Sequence, residues 1–361
     1  MVFLIGTLRI LDTYYLIRDT YIMARIAING FGRIGRLFFR EAFGRPGLEI
    51  VAVNDLGDKE NLAYLLKYDS VYGKYGKDVS FKGDSLIVDG KEIKALQIKE
   101  PTQLPWKDLK IDIVVESTGV YESFEKNKVH LAQGAKRVVI TAPAKDEDGE
   151  IGRTILMGIN DKDISTCSIT SNASCTTNSV APIIQILDEA LGVEKAVLGT
   201  VHAYTGTQNI VDAPIKGRDF RRGRAGAFNI SPSTTGAALA VGRVVPSMKG
   251  KFDGLAFRVP VIAGSLSDIT FISKKKTTVE EVNDILKKAA KEKRWAGILK
   301  TTEDQVVSSD IIGEPYGAIV DLNFTKVVDG DLVKVLSWYD NEAGYTATLV
   351  RHVEAAAASL K

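Results

Sequence analysis

The sequence predicts an α/β chain in two parts: a doubly wound, mainly parallel sheet first, then an α+β part on a mainly antiparallel sheet. Three observations predict it. An apolar run, a glycine-rich turn, a helical pattern and a second apolar run follow one another between Arg25 and Asn54. Further strand-like runs, each ending in small or polar residues, continue to Asn172. From Ala196 to Tyr339 strand-like runs dominate, with one amphipathic helical stretch among them.

Arg25 to Asn29 reads as a short buried strand, and Gly30-Phe31-Gly32-Arg33-Ile34-Gly35 opens a helical pattern running through Phe43. Leu48 to Asn54 is a second strand ending at Asp55, twenty positions after Gly35. Each part of this spacing has a physical use. One glycine permits a tight turn, another lets backbone approach a pyrophosphate, and the third lets helix and strand pack closely. The helix start offers free N–H groups and a positive dipole end to phosphates. Asp55 is placed to accept from a ribose 2′-hydroxyl. The combination predicts a Rossmann-type dinucleotide site at Gly30, Gly32, Gly35 and Asp55.

Ile111 to Glu116 and Arg137 to Thr141 are the next strands. They run into Ser117-Thr118-Gly119 and Thr141-Ala142-Pro143. Loops beyond the carboxyl ends of strands face the ligand in such a sheet. Ile169 to Asn172 leads into Ala173-Ser174-Cys175-Thr176-Thr177-Asn178, and Ser179 to Leu191 has helical spacing with Gly192 as its stop. Pro182 lies within that pattern and predicts a bend or a perturbed first turn. Strands are expected over Ala196–His202, Leu255–Val259, Ser267–Ser273, Ala318–Asn323 and Leu332–Tyr339, and helices over Val279–Arg294 and Tyr345–Leu360.

Cys175 sits at the expected start of a helix, where the dipole favours a thiolate. By itself it reads equally as a buried, inert thiol. His202 ends a strand and opens a polar loop, a suitable place for a general base, although alone it reads equally as a structural histidine. His130 and His352 fall within helices without a supporting motif and read as structural. The loop Asp212–Ala227 carries Lys216, Arg218, Arg221, Arg222 and Arg224, and reads as loop hydrogen bonding or a subunit contact.

The 361 residues are 45% apolar and 25% charged, with 47 Lys and Arg against 45 Asp and Glu. A net charge of +2 demands neither nucleic acid nor an anionic membrane as partner. Two cysteines cannot build a disulfide framework, so a cytoplasmic location is expected. Three histidines, with no CxxC or HExxH, give no reason to expect a metal. No stretch reaches the ~18 apolar residues of a membrane-spanning helix. Residues 1–22 are apolar but interrupted by Arg9, Asp12, Arg18 and Asp19, and read as an N-terminal extension of undetermined role.

From Met23 to the C-terminus the chain resembles the phosphorylating glyceraldehyde-3-phosphate dehydrogenase family. The resemblance rests on five segments in family order: Ile28-Asn29-Gly30-Phe31-Gly32-Arg33-Ile34-Gly35-Arg36, Ala173-Ser174-Cys175-Thr176-Thr177-Asn178, His202-Ala203-Tyr204-Thr205, Thr234-Thr235-Gly236-Ala237-Ala238 and Trp338-Tyr339-Asp340-Asn341-Glu342-Ala343-Gly344-Tyr345. It implies domains at 23–173 (NAD-binding, completed by helix 342–361) and 174–341 (catalytic). It implies Cys175 as nucleophile and His202 as general base. Ser174, Thr176, Thr205, Thr235, Gly236 and Arg258 would hold the substrate phosphate and the attacking inorganic phosphate. Arg33, Ile34 and Asp55 would hold the adenosine half of NAD. Lys99, Thr141 and Asn341 would contact the cofactor elsewhere, Asn341 at the carboxamide, with Lys99 the loosest match.

The implied reaction oxidises D-glyceraldehyde 3-phosphate to 1,3-bisphosphoglycerate with NAD and inorganic phosphate, through a cysteine thiohemiacetal and thioester. A homotetramer is implied. Two departures bear on this. Ser179 stands where the family often has a second cysteine, which removes a local disulfide. Ala213-Pro214 replaces the Leu-Pro usual in NAD-specific members, so NAD preference is expected with NADP use left open. Erythrose-4-phosphate dehydrogenase is the rival within the resemblance; Thr205 and Thr235-Gly236 argue against it. A non-catalytic NAD- or RNA-binding relative would need a broken catalytic pair, and Cys175 and His202 are both present.

Overall fold

The computed structural model describes residues 23–215 and 217–360. The expected extension, residues 1–22, and Lys216 of the basic loop lie outside the described residues. In chain order the N-terminal elements are β1 (Ala24–Asn29), α1 (Arg33–Ala42), β2 (Leu48–Asn54), α2 (Lys59–Lys67), β3 (Tyr68–Asp69), β4 (Gly73–Lys74), β5 (Val79–Lys82), β6 (Ser85–Val88), β7 (Lys91–Leu96), β8 (Ile113–Glu116), α3 (Phe124–Ala132), β9 (Arg137–Ile140), β10 (Gly152–Thr154) and β11 (Ile169–Ser171). There follow α4 (Cys175–Leu191), β12 (Val193–Ala203), β13 (Ser231–Thr234), α5 (Ala237–Val244), β14 (Phe252–Val259), β15 (Ser265–Ser273), α6 (Val279–Ala289), β16 (Leu299–Thr302), β17 (Ala318–Val328), β18 (Leu332–Tyr339) and α7 (Ala343–Ala358).

The first sheet runs β10-β11-β9-β8-β1-β2-β7-β6-β5. It is parallel from β10 to β7 and antiparallel at β7-β6-β5. Its parallel strands are nearly continuous apolar runs because both faces are covered. Phe38, Phe39, Leu349 and Val350 pack one face through α1 and α7. Trp106, Phe124 and Val114 pack the other. The chain therefore returns at its end to complete the first sheet. β1 lies between β2 and β8, so the strand order reverses at β1, the place where such sheets bind ligands.

The second sheet runs β13-β14-β12-β15-β18-β17-β16. Four of its pairs are antiparallel; β12-β14 and β16-β17 are parallel. Leu187, Val241, Leu286 and Phe271 belong to the core that α4, α5 and α6 form against one face. Burying each such side chain contributes about 1.5–3 kcal/mol.

Several boundaries differ from the sequence reading. Helix α4 begins at Cys175, four residues before the periodicity predicts, so Pro182 falls in its third turn rather than its first. The missing Pro182 N–H leaves the Asn178 carbonyl without its helical partner. The helix is nonetheless continuous to Leu191, buried along most of its length, and stops at Gly192 with φ +72°. Helix α6 ends at Ala289 rather than Arg294, giving way to a short 3-10 turn at Lys293–Trp295. The segment from Lys59 to Leu96 and helix α5 were not anticipated. β5 to β7 are four to six residues each, too short to stand out as alternating patterns.

Candidate active site

Cys175 is presented by a sharp elbow between β11 and α4. Ala173 at its corner has φ +53°, unfavourable for a residue with a Cβ. Such strain costs about 1–3 kcal/mol and persists where surroundings impose it. Here Ala173 N donates to Ser171 Oγ at 3.0 Å, and Tyr345 Oη donates to the Ala173 carbonyl at 3.1 Å. Cys175 is thus the first residue of a 17-residue helix. Ser174 caps that helix: its Oγ accepts from Thr177 N at 3.1 Å. The Thr176 hydroxyl is buried and lies 2.9 Å from Tyr339 Oη. Both hydroxyls therefore have partners within the chain.

His202 stands near the end of β12, and the parallel register of β12 with β14 places Arg258 beside it. His202 Nε2 is 3.4 Å from Cys175 Sγ. Nδ1 is 2.7 Å from the Ala203 carbonyl, which also accepts from Arg258 Nη1 at 3.1 Å. Arg258 Nη1 lies 2.7 Å from Nδ1 as well. With the proton on Nδ1 donated to the carbonyl, Arg258 Nη1 directs its hydrogen to that same carbonyl rather than to the ring, and the Nε2 lone pair is left for the thiol, the tautomer a base needs. The ring edge rests on Tyr339, with centroids 6.0 Å apart.

Two groups shift in opposite directions. Burial, and then the Arg258 cation, hold His202 down at about 3, so it is neutral and able to accept a proton. Burial pushes the Cys175 thiol up, while Arg258 and hydrogen bonds from Thr176 pull it back. Desolvation raises the proton affinity of the thiol against the expected pull of the helix start, although Cys175 keeps part of its surface exposed. The resting pair is a thiol beside a neutral imidazole.

Arg258 Nε is enclosed with no partner, a buried donor suited to an anion. Arg222, passed over in the sequence as one of several loop arginines, donates from Nη2 to Ser233 Oγ at 2.8 Å and acts electrostatically on His202. Thr205 lies three residues past His202, its hydroxyl 3.0 Å from Thr207 Oγ1. Thr235 and Gly236 sit at the start of α5, where Ala237 N donates to Thr235 Oγ1 at 3.2 Å. Thr235 also lines a cleft of about 830 Å³ on the outer side of the second sheet, together with Lys195, Lys251 and Leu239. Among the described residues no hydrogen bond joins Thr235 or Gly236 to Cys175.

A second cleft, of about 420 Å³, opens at the ends of β1, β2 and β8. Gly30, Gly32, Asp55 and Lys99 line it, with Ser117 and Thr118 from the loop flagged by the strand pattern. The three glycines divide the work expected of them. Gly30 has φ +93°, and a Cβ there would lie 2.5 Å from the Ser117 carbonyl carbon. A Cβ on Gly35 would lie 2.1 Å from the Gly30 oxygen. At Gly32 nothing lies within 4 Å, so this is where ligand phosphate can approach backbone. Asp55 is fixed by Phe31 N at 2.7 Å and Gly57 N at 2.8 Å, with lone pairs left for hydroxyl donors. These features fit a dinucleotide.

Other expected contacts stand differently. The Arg33 guanidinium is engaged by Glu342 and Asp69, while its backbone N–H stands at the start of α1. Ile34 packs partly buried on the α1 side of the core. Thr141 follows β9 and donates its N–H to the Glu116 carbonyl at 3.0 Å; it does not line the cleft. Asn341 is buried beside Ser265. Sequence reasoning missed a buried network behind the cleft. Glu116 accepts from Asn29 Nδ2 at 2.6 Å and from Thr118 N at 2.9 Å. Its Oε2 is 3.2 Å from His130 Nε2, and Trp106 Nε1 donates to His130 Nδ1 at 3.0 Å. A glutamate ending an apolar strand was the available signal. Among the described residues no helix is long and apolar enough to cross a membrane, and no three His, Cys, Asp or Glu are grouped as metal ligands.

Two family models match the chain. Residues 24–124 match the NAD binding domain of glyceraldehyde 3-phosphate dehydrogenase, and residues 174–341 match its C-terminal domain. Among curated proteins, the glyceraldehyde-3-phosphate dehydrogenase of Thermotoga maritima is 52% identical over 335 residues, 92% of this chain and 98% of that protein. That of Streptomyces coelicolor is 50% identical over 329 residues, covering 90% and 96%. That of Clostridium pasteurianum is 47% identical over 336 residues, covering 92% and 98%.

Proposed function

The chain belongs to the glyceraldehyde-3-phosphate dehydrogenase family and is an oxidoreductase of that activity, and we propose that it works through Cys175 and His202 as an NAD-preferring homotetramer. The observation that carries the mechanism is the 3.4 Å approach of His202 Nε2 to Cys175 Sγ, with Arg258 alongside.

Nε2 takes the thiol proton as sulfur attacks the aldehyde carbon. The carbonyl π pair moves to oxygen, which takes that proton back, giving a thiohemiacetal. Nε2 next removes the hydroxyl proton as the C–H bond breaks and a thioester forms. NAD, when bound, would supply the oxidation by taking the hydrogen of that C–H bond together with both bonding electrons. A phosphate oxygen then attacks the thioester carbon, the C–S bond breaks, the departing sulfur takes the proton held on Nε2, and 1,3-bisphosphoglycerate leaves with the thiol and neutral imidazole restored. Ser174, Thr176, Thr205, Thr235, Gly236 and Arg258, the last with its unpaired Nε, would together hold the substrate phosphate and the attacking phosphate, Thr176 only if its hydroxyl turns from Tyr339.

Gly30, Gly32, Gly35, the N–H groups of Arg33 and Ile34, Asp55 and Lys99 would hold NAD, with Thr141 and Asn341 nearer the reacting end. Asp55 supports NAD over NADP because a 2′-phosphate would face its carboxylate. Ala213 does not line the cleft of its own chain, so its effect on that choice would come from a neighbouring subunit. The homotetramer is supported by the uncovered face of the second sheet, where Val197, Val201, Leu255 and Phe257 are exposed side by side. Exposed Phe220 in the basic loop, with Ile210 and Phe228 just outside its two ends, adds to it. Domains at 23–173 and 174–341, with 342–361 returning to the first, follow the two sheets, and cytoplasmic residence follows the sparse cysteines.

The test is NADH production from glyceraldehyde 3-phosphate with and without inorganic phosphate. Phosphate-dependent turnover is expected, lost in Cys175→Ser while NAD binding by fluorescence titration persists. Full activity of that variant would rule out the mechanism.

A further inference from the structure

Ser265 opens β15 opposite Tyr339 of β18 and is 1% exposed. Its Oγ accepts from Ala203 N at 3.1 Å and donates to Asn341 Oδ1 at 3.0 Å. The carbonyl of the same Ala203 takes His202 Nδ1 and Arg258 Nη1. One buried hydroxyl therefore stands between the base side of the site and Asn341.

The proton count fixes more than a contact. Ser265 has one hydrogen, and a buried hydroxyl hydrogen without an acceptor is costly. The acceptor in reach is Asn341 Oδ1. The amide oxygen must then face Ser265, which turns Nδ2 away. Among the described residues Nδ2 makes no hydrogen bond and is not sealed from solvent. The side chain thus presents two N–H donors and no acceptor to whatever binds there. Rotated by 180°, it would present a carbonyl and repel a ligand carbonyl.

We propose that Ser265 is a positioning residue that fixes the polarity of the Asn341 amide, so that Asn341 donates to the carboxamide oxygen of the cofactor and orients the nicotinamide ring. This rests on the reading of Asn341 as the carboxamide contact. The bond from Ala203 N to Ser265 ties that orientation to the strand end carrying His202.

The experiment compares Ser265→Ala, Asn341→Ala and the double variant in the full-length enzyme. It measures Kd for NAD by fluorescence titration, KM for NAD, KM for glyceraldehyde 3-phosphate, kcat, and the face of nicotinamide C4 that receives deuterium from 1-deuterated substrate. Ser265→Ala should raise KM for NAD roughly ten-fold, as expected for one lost hydrogen bond in a buried site, and leave KM for the aldehyde unchanged. Deuterium should appear on both faces of C4, an effect that mere loosening of the fold does not produce. In the Asn341→Ala background, Ser265→Ala should add nothing. If Asn341→Ala raises KM for NAD and Ser265→Ala does not, the inference is overturned and the Asn341 reading stands. If neither does, both fall. An equal Ser265→Ala effect in both backgrounds also overturns it. Ser265→Cys, close in size and a weaker donor, should give an intermediate KM and serves as the probe if the alanine variant does not fold.

Discussion

At Arg258 one guanidinium acts on two groups. It lowers the proton affinity of His202 and of the Cys175 thiol together, in each case beside a larger effect of burial. A bound substrate phosphate would offset that cation and let His202 accept a proton more readily at the moment it is needed. Arg258→Gln should therefore reduce kcat/KM for glyceraldehyde 3-phosphate by roughly ten- to a hundred-fold, the worth of a charged hydrogen bond. The loss for unphosphorylated glyceraldehyde should be much smaller. The midpoint of Cys175 alkylation by iodoacetamide should move to higher pH, because a cation that favours the thiolate is gone. Equal losses for the two aldehydes would count against a phosphate contact. From their positions at element ends Cys175 and His202 each read equally as structural, and it was the resemblance that singled them out. The sign of the thiol shift was not legible, because desolvation depends on β12, β14 and β18, brought round it from far along the chain.

Among the elements, the turn from β1 into α1 was the most legible, because its demands are local. Gly30 and Gly35 are required by backbone contacts of 2.5 and 2.1 Å that a Cβ would make, whereas Gly32 faces open space with φ −71°. The same substitution should thus have opposite consequences at two sites three residues apart. Gly35→Ala should lower stability by about 1–3 kcal/mol through forced overpacking. Gly32→Ala should change thermal stability by less than ~0.5 kcal/mol, as at an open site, yet raise KM for NAD. A Gly32→Ala enzyme with unaltered NAD binding would show that the pyrophosphate lies elsewhere. Helix α4 was legible as a helix but not at its start. Periodicity registers apolar side chains, and the turn from Cys175 to Asn178 is polar, held by the Ser174 cap and by Asn178 Nδ2 donating to the Asn172 carbonyl at 2.8 Å. The short strands from Val79 to Leu96 escaped because each spans only four to six residues, too few for an alternation to register.

Across the whole molecule, the C-terminal helix closes the first sheet after the chain has built the second, and His352 is one point of closure. It is fully buried, with Nε2 2.8 Å from Thr170 Oγ1 on β11 and Nδ1 3.2 Å from Asn172 Oδ1. The sequence marked it as structural, yet its partners lie about 180 residues away and were beyond reach of a local pattern. Burial, then Arg137, holds it at about 3, and burial with Arg258 holds His202 at about 3. Both lie below the unfolded value of about 6.5, so unfolding takes up protons in this window. Their stabilisation is complete above pH 6.5 and is lost as pH falls toward 3. Each adds a slope of up to about 1.4 kcal/mol per pH unit. His352→Gln keeps hydrogen-bonding capacity and removes the charge, so it should lose less thermal stability between pH 7 and pH 5 than the parent at the same protein concentration. The gap between the two Tm curves should narrow steadily on acidification, whatever packing costs the variant at pH 7. Parallel curves would show that α7 leaves the sheet for another reason and that His352 does not couple acid to the closure of the fold.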